Sequence, residues 1–288
     1  MLKFSIHLIL PVALICVQGC TPTAPISESA SKVSSQAIEV TREQVARIPD
    51  APLFRDLASE RGIVFHHAAG TTGQFLMPEI MGSGAALLDF DLDGDLDVYL
   101  ANGGPTASLS LNSGGANQLF RQSDDGQFEN VTQTVGGGDE HFGMGVAAAD
   151  VNNDGYPDLY ITNYGPDQLY LNDKGNRFVN VTADAGISND RWSVSAAFAD
   201  INRDGWLDLY VANYVDYDAS HECPTADGLP DYCNPLQFPG TTDLMLVNTG
   251  TTIERDGLRI PTFRDMSLES GIASAKGAGL GVALIDAN

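Results

Sequence analysis

Basic residues are scarce in this chain of 288 residues. Fifteen Lys and Arg stand against 38 Asp and Glu, which gives a formal net charge of −23. Because nucleic acids and anionic membrane surfaces are bound through clustered Lys and Arg, the composition argues against both as partners. The 30 Gly and the shortage of Lys argue against a helical bundle. With 43% hydrophobic residues, the chain still has enough apolar material for a folded core.

Long hydrophobic runs are also missing. The apolar segment Phe4–Val17 is shorter than a transmembrane helix of about 20 residues, but it is typical of a secretory signal. It ends in Val17–Cys20, which resembles the bacterial lipobox, so residues 1–19 are predicted to be a lipoprotein signal peptide and Cys20 the acylated residue. Ordinary signal cleavage, with Cys20 incidental, is the alternative. Residues 20–50 read as a flexible tether. We expect an extracytoplasmic protein (a periplasmic or outer-membrane lipoprotein, or one at the cell surface) that meets a membrane only through its lipid anchor.

Cysteine is rare, and only Cys223 and Cys233 fall in the region expected to fold. In an oxidising compartment this closely spaced pair is expected to form a disulfide. A thiolate zinc site is the alternative, but the chain has neither a CxxC motif nor a second pair.

What the chain has in abundance is a repeat. Four short apolar segments align without gaps, and each ends in Asp: Gly84–Asp89, Gly145–Asp150, Ser195–Asp200 and Gly281–Asp286. In the first three repeats an Asp-rich loop follows, and then a second strand-like segment: Asp97–Asn102, Asp158–Asn163 and Asp208–Asn213. Two further apolar runs complete each repeat. The third runs are Leu119–Phe120, Leu169–Asn172 and Leu244–Asn248, and the fourth runs are Phe128–Thr132, Phe178–Thr182 and Phe263–Ser267. Four short antiparallel strands recurring about every 50 residues predict an all-β fold, a β-propeller of four-stranded blades. A parallel β-helix would repeat sooner, and a sandwich would not repeat itself.

The repeats set the expected blade boundaries: 84–132, 145–182, 195–267 and the start of a next blade at 279–288. The segment 53–65 resembles the last strand of the third repeat, and we predict that it closes the last blade of a ring. Residues 51–288 are therefore expected to be an incomplete propeller of about three and a half blades, as a truncated chain would form.

Each of the first three repeats has a loop between its first two strands, numbered here by positions 1 to 9. Loop one, loop two and loop three are Asp89–Asp97, Asp150–Asp158 and Asp200–Asp208. Side-chain oxygens stand at positions 1, 3, 5 and 9, Gly stands at position 6, and position 7 would offer its backbone carbonyl. Such a cage suits Ca²⁺, which takes six to eight oxygen ligands. The predicted ligands are Asp89, Asp91, Asp93, Asp95, Asp97, Asp150, Asn152, Asp154, Tyr156, Asp158, Asp200, Asn202, Asp204, Trp206 and Asp208, with Asp286 and Asn288 opening a fourth loop.

Two alternatives to this calcium site can be weighed on the sequence. An EF-hand would have Glu at position 12, where the chain has Leu100, Ile161 and Val211. Solvated Asp-Gly turns are common singly, but three copies at the same point of a repeat favour calcium. Loop one has four carboxylates at positions 1, 3, 5 and 9 where the other loops have three, so we expect loop one to bind most tightly.

These repeats resemble the calcium-bearing FG-GAP/VCBS blades. More narrowly, Phe65–His67, Pro78–Gly82 and the pair Cys223 and Cys233 resemble the cartilage acidic protein (ASPIC/UnbV-associated) family. This resemblance implies a propeller of seven blades, often followed by a C-terminal ASPIC/UnbV domain.

Function is less clear from the sequence than architecture. No Gly-x-Ser-x-Gly, His-Glu-x-x-His or Walker motif occurs, and nearly all paired carboxylates lie in the three loops. The insertion 214–242 in the third repeat carries aromatic residues and both cysteines, and it either docks a ligand or covers one face. We expect a non-enzymatic scaffold that binds a protein or a polysaccharide, with its oligomeric state open. A propeller-based polysaccharide lyase or hydrolase is the alternative.

Overall fold

The structure is a computed structural model that describes residues 54–71, 73–104 and 115–284. Several predicted features lie outside the described residues: the signal peptide, the tether, Cys20, Asp286 and Asn288. The chain divides into two units, Met1–Arg55 and Asp56–Asn288. All of the secondary structure described below belongs to the second unit.

Three sheets of four antiparallel strands dominate this unit. The first sheet contains β1 (Ala85–Leu88), β2 (Asp97–Leu100), β3 (Gln118–Gln122) and β4 (Phe128–Asn130). The second contains β5 (Phe142–Ala149), β6 (Asp158–Tyr164), β7 (Gln168–Asn172) and β8 (Phe178–Asn180). The third contains β9 (Ser193–Ala199), β10 (Asp208–Asn213), β13 (Leu244–Arg255) and β14 (Leu258–Asp265), and the insertion forms a ribbon of β11 (Cys223–Pro224) and β12 (Pro230–Asp231). The helical segments described are α1 (Thr132–Val135) and 3₁₀ turns at Met77–Ile80, Pro235–Gln237 and Ile272–Ser274. The all-β class is confirmed, and the sheets are consistent with the predicted blades.

The first strands of neighbouring sheets lie side by side, β1 next to β5 and β5 next to β9. Glycine makes this approach possible. A Cβ atom on Gly84 would lie 2.9 Å from Gly145 Cα, and one on Gly145 would lie 2.6 Å from Val194 O. The small residue that opens the repeated segments is therefore explained by contact between backbones of neighbouring sheets.

Apolar side chains fill the spaces between neighbouring sheets. The cluster between the first and second sheets includes Phe90, Tyr99, Leu159 and Phe178. The cluster between the second and third sheets includes Tyr160, Leu171, Leu246 and Ile260. A third cluster lies around the insertion and includes Met77, Trp192, Tyr214 and Phe238. Burial of such side chains contributes about 1.5–3 kcal/mol each, so each sheet depends on its neighbour for a core.

A buried polar network lies between the second and third strands of the second sheet. Asp167 accepts hydrogen bonds from Asn163 N at 2.8 Å, from Tyr160 Oη at 2.8 Å, from Asn189 Nδ2 at 2.7 Å and from the Ser193 hydroxyl. Burial raises the pKa of Asp167 to about 7, although the four donors favour its carboxylate form.

The other two sheets repeat this network with one difference. In the third sheet Asp243 accepts from Asn213 N at 2.9 Å and from Tyr210 Oη at 2.6 Å. In the first sheet the same place is taken by Asn117, whose Oδ1 accepts from Asn102 N at 2.7 Å. An amide therefore replaces the carboxylate in the first sheet alone.

The third sheet departs from the repeat through a long hairpin. β13 and β14 pair from Leu246 with Asp265 to Arg255 with Leu258, with an irregularity between Asn248 and Thr252. The sequence predicted that the third strand of this repeat would end at Asn248 and the fourth would begin at Phe263, with no strand assigned between them. Leu258 and Ile260 of this hairpin are buried in the same cluster as Val151 of loop two. The extension therefore covers the neighbouring sheet.

Two predicted strands are not formed by the residues that the structure describes. Residues 54–65, predicted as part of a closing strand, contain turns, and Arg61 O accepts a hydrogen bond from Phe128 N at 2.7 Å. Residues 279–284, predicted to open a next blade, have no strand pairing, although Gly279 N donates to Asn213 O at 3.0 Å. Gly143 N makes the same bond to Asn102 O at 2.9 Å where the second sheet begins. The segment therefore starts with the same bond as the second sheet, but its described residues do not pair as a strand.

Candidate functional site

The three loops follow the same backbone path. At position 6 the φ angles are 97° for Gly94, 94° for Gly155 and 88° for Gly205, a region that favours Gly. Position 4 is also left-handed, with φ of 59° at Leu92, 56° at Asn153 and 62° at Arg203. The Gly residues signal the turn in the sequence. Position 4 gives no such signal, because Leu, Asn and Arg share no relevant property.

The Asp at position 1 caps this turn in every loop. In loop one, Asp89 Oδ1 accepts from Asp93 N at 3.1 Å and Oδ2 accepts from Gly94 N at 3.0 Å. The matching distances are 3.0 and 2.8 Å at Asp150, and 2.9 and 2.9 Å at Asp200. Both oxygens are thus fixed by backbone donors, and their remaining lone pairs are free to accept a cation.

The Asp at position 5 is fixed by the residue two places later. The bonds run from the position 7 N–H to the position 5 Oδ1: from Asp95 to Asp93 at 3.0 Å, from Tyr156 to Asp154 at 3.0 Å and from Trp206 to Asp204 at 2.9 Å. Position 7 therefore acts through its backbone, whatever its side chain. Its carbonyl as a calcium ligand stays a prediction.

The Asp at position 9 joins the loop to the third strand of its sheet. Asp97 Oδ2 accepts from Phe90 N at 3.0 Å, and its Oδ1 accepts from Gln122 N at 2.8 Å. Equivalent pairs are made by Asp158 with Val151 N at 2.9 Å and Asn172 N at 2.8 Å, and by Asp208 with Ile201 N at 3.0 Å and Asn248 N at 2.9 Å. All three side chains are fully buried. Burial raises the pKa of Asp97 to about 6 and raises the pKa values of Asp158 and Asp208.

Position 3 distinguishes loop one from the others. In loop two, Asn152 Oδ1 accepts from Asp154 N at 3.1 Å, and its Nδ2 donates to Asp154 Oδ2 at 2.9 Å. Asn202 and Asp204 repeat both bonds in loop three, each at 2.9 Å. In loop one this position is Asp91, whose side-chain carboxylate has no N–H to donate. Its Oδ1 is buried and has no hydrogen-bond partner among the described residues.

Arg121 of β3 provides the donor that loop one lacks. Its Nε lies 2.6 Å from Asp91 Oδ2, and its Nη2 lies 3.1 Å from Asp93 Oδ2. The guanidinium thus bridges positions 3 and 5, as the Asn amide does in the other loops. Burial raises the pKa of the Asp91 carboxyl against the opposing effect of Arg121. The pKa of Asp93 is lowered, mainly by the Asp95 N–H that it accepts. The sequence analysis did not identify Arg121 as part of the site.

Loop one brings three carboxylates together. One oxygen each of Asp89, Asp91 and Asp97 lies within 4.8 Å of the other two. Carboxylates at this spacing repel one another by about 4 kcal/mol per pair at an effective dielectric constant near 20. An oxygen-only donor set suits a hard cation such as Ca²⁺ or Mg²⁺ rather than zinc or copper. The unpartnered Asp91 Oδ1 is the kind of oxygen that such a cation would satisfy, so these residues fit calcium.

Asn side chains link loop one and loop two each to the next sheet, a contact that was not predicted from the sequence. Asn172 Nδ2 donates to Phe90 O of loop one at 2.7 Å and to Pro157 O at 3.1 Å. Asn248 Nδ2 donates to Val151 O of loop two at 3.1 Å. The recurrence of Asn at the end of the third strand was the available signal. We refer to this contact as the asparagine clamp.

The insertion joins Cys223 to Cys233 in a disulfide with Cα atoms 5.1 Å apart. The ribbon of β11 and β12 lies at this disulfide, and beside it is a cavity of about 570 Å³ lined by Phe75, His221 and Asp231 among others. The Phe75 and Tyr232 rings meet edge to face with their centroids 5.3 Å apart. The insertion therefore offers a concave, mixed polar and aromatic surface.

Comparison with known proteins adds one result. Residues 89–161 and 150–211 each match the family model of the FG-GAP-like repeat. Together these stretches span the three loops and the whole of the second sheet, so the chain contains FG-GAP-like repeats. No curated protein matches the sequence. Within the described ranges, none of the helices has the length and apolar content that a membrane crossing requires.

Proposed function

We propose that this chain is an exported, calcium-binding repeat protein that acts as a non-enzymatic scaffold for a protein or polysaccharide ligand. The observation that carries the proposal is the threefold repetition of one loop geometry. In each loop the side chains at positions 1, 5 and 9 are held by the same backbone donors. The bound ion is structural: it would neutralise carboxylates that the fold brings together between the first two strands of each sheet.

The experiment that tests calcium is thermal unfolding of the full chain with and without the ion. A ligand at ten times its Kd stabilises the folded state by about 1.4 kcal/mol per site. Extracellular calcium sites bind in the range of about 10⁻⁴ to 10⁻³ M. We therefore expect the melting temperature to rise in millimolar Ca²⁺ and to fall when a chelator is added, with calorimetry reporting up to three sites.

Variants separate a calcium cage from solvated Asp-Gly turns. Asp150→Asn and Asp200→Asn each remove a carboxylate from position 1, and each should remove one calorimetric site. The matched control is Asp218→Asn, in the insertion, where Asp218 Oδ1 accepts from Ser220 N at 2.9 Å outside any of the three loops. This change should leave calcium binding unaltered. If calcium neither binds nor stabilises the unaltered chain, calcium is removed from the proposal.

We place the ligand-binding surface on the insertion, because its cavity combines aromatic rings with polar groups in a stapled segment. Immobilised neutral and acidic polysaccharides test this role. Retention without release of shortened or unsaturated products supports a scaffold, and loss of retention in Phe75→Ala, which changes an aromatic residue that lines the cavity, would locate the surface. Catalytic turnover of any polysaccharide in the panel would reverse the choice in favour of a lyase or hydrolase.

The finer family assignment also belongs to the proposal. We propose that the three sheets are blades of a propeller like that of the cartilage acidic protein family. Support comes from the FG-GAP-like repeats, from the adjacent first strands and from the stapled insertion. Cryo-electron microscopy of the natural full-length product would count the blades. A ring other than sevenfold, or no ring, would contradict this assignment.

A further inference from the structure

Arg121 occupies a strand position that is apolar in the other two sheets. When the third strands are aligned, Arg121 of β3 stands at the position equivalent to Leu171 of β7 and Val247 of β13. Leu171 is fully buried in the core between the second and third sheets. The first sheet has therefore exchanged a core side chain for a cation, and this cation lies against the loop that has one more carboxylate than the others.

The formal charges link Arg121, which replaces an apolar residue, to Asp91, which replaces the Asn found at position 3 of the other loops. At positions 1, 3, 5 and 9, loop one has Asp89, Asp91, Asp93 and Asp97, whereas loops two and three each have three Asp and one Asn. At these four positions, Arg121 changes the formal charge of loop one from −4 to −3, the value of the same positions in the other loops; Asp95, at position 7 of loop one, is not part of this count. The guanidinium also donates to positions 3 and 5, which the Asn amide pairs in loops two and three.

The turn between β7 and β8 lies close to the backbone of Asp91. A Cβ atom on Gly175, in the turn between β7 and β8, would lie 2.9 Å from Asp91 Cα. The second sheet is thus packed against the backbone of loop one at this point. Asp91 Oδ2 is held by Arg121, its Oδ1 is buried without a hydrogen-bond partner among the described residues, and one of its two oxygens belongs to the cluster with Asp89 and Asp97. A cation bound to that cluster would lie close to a fixed guanidinium and would be repelled by it.

We propose that Arg121 is a built-in counter-ion that stabilises loop one in the absence of metal and weakens its affinity for divalent cations. This inference rests on the proposed calcium function and sharpens it. Loop one, which has the most carboxylates, then binds calcium no more tightly than loops two and three. This proposal replaces the order of calcium affinities expected from the carboxylate count alone, in which loop one binds most tightly.

The test uses terbium luminescence in the full chain, with calcium as competitor. Tyr156 and Trp206 stand at position 7 of loops two and three, but loop one has Asp95 there. The reporter protein carries Asp95→Trp and Trp206→Phe, so that tryptophan excitation selects loop one. The position 7 N–H bond to Asp93 is a backbone contact and is kept. Arg121→Leu, which introduces the residue of the second sheet, is compared with the unaltered reporter.

We expect Arg121→Leu to increase the calcium affinity of loop one by about tenfold or more, and a factor of ten corresponds to about 1.4 kcal/mol. Without divalent cations the same variant should melt at a lower temperature, and saturating calcium should restore it. Arg177→Leu is the matched control: Arg177 Nε lies 3.0 Å from Asp173 Oδ2 in the turn next to loop one, and Arg177 is similarly exposed. It removes the same charge without a contact to the loop, so it should change the affinity less than twofold.

The possible results discriminate between the two proposals. An unchanged or weaker affinity in Arg121→Leu overturns the counter-ion role, even if calcium binds to all loops. An equal gain in Arg177→Leu also overturns it, because the effect would then come from net charge. If neither loop one nor the Tyr156 and Trp206 sites of the unaltered chain bind terbium or calcium, the proposed function itself fails and this inference fails with it.

Discussion

Loop one and loop two are built on one backbone but neutralise their acids by different means. Both use position 1 to cap the turn and position 9 to join the third strand, with hydrogen bonds that differ by no more than 0.2 Å. Loop two relieves the contact between positions 3 and 5 with the amide of Asn152. Loop one relieves it with Arg121 from a different strand.

The same exchange of carboxylate and amide appears in the buried networks. The first sheet has Asp91 in its loop and Asn117 in its network, whereas the second sheet has Asn152 in its loop and Asp167 in its network. The comparison teaches that the backbone frame is constant while the placement of charge varies from sheet to sheet. Variants that transfer residues between the two sheets can therefore distinguish the effect of the shared backbone arrangement from the effect of charge placement.

The largest effect is expected where the two loops are identical. Asp158→Ala leaves the buried Val151 and Asn172 N–H groups without an acceptor, and each buried orphan costs about 1–3 kcal/mol. We expect a loss of about 2–6 kcal/mol in the free energy of unfolding by urea. Asp97→Ala should have a similar effect if the frame is shared, and a loss below 1 kcal/mol in either variant would break the comparison. Asp158→Asn keeps one acceptor oxygen, so its free energy of unfolding should lie between those of Asp158→Ala and the unaltered chain.

A smaller effect should appear at the asparagine clamp. Asn172→Ala leaves Phe90 O and Pro157 O without the amide donor, and we expect a loss of about 1–3 kcal/mol in urea unfolding. The control is Gln122→Ala at the same position of the first sheet, where the described side chain makes no hydrogen bond; its effect should stay within about 0.5 kcal/mol. Equal effects of the two variants would show that the clamp contributes nothing.

The smallest effect, expressed per pH unit, concerns the exchange of Asp167 with Asn117. Burial raises the pKa of Asp167 to about 7 from its ordinary 3.8. Between these values the folded chain binds more protons than the unfolded chain, so stability falls as pH rises from about 4 to about 7. The slope is at most about 1.4 kcal/mol per pH unit. Asp167→Asn, which introduces the residue of the first sheet, should remove this component of the slope in urea unfolding between pH 5 and 7.5. An unchanged slope would show that Asp167 ionises normally.

Much of the fold follows from local sequence. Strand-forming segments, the Asp-rich turns and their Gly are encoded within a few residues, so the three sheets and loops could be predicted. The long hairpin also had a signal, because Asp256 and Gly257 form a left-handed pair typical of a hairpin turn. Arg121 could not be assigned to loop one, because that contact depends on how β3 lies beside a loop 28 residues away in sequence. The sequence of β3 alone does not indicate which loop lies beside Arg121 in the folded chain.

The asparagine clamp gives the repeats a direction. Each clamp runs from the third strand of one sheet back to the loop of the preceding sheet. Loops one and two therefore have all of their described hydrogen bonds only when the following sheet is folded. Neighbouring sheets are then thermodynamic partners in an ordered series, in which stability is the sum of unit and interface terms. Calcium bound in one loop would be sensed by the next sheet along the chain, and fraying of that sheet would release the ion. Metal occupancy would therefore report the integrity of the adjacent sheet as well as that of the sheet which holds the loop.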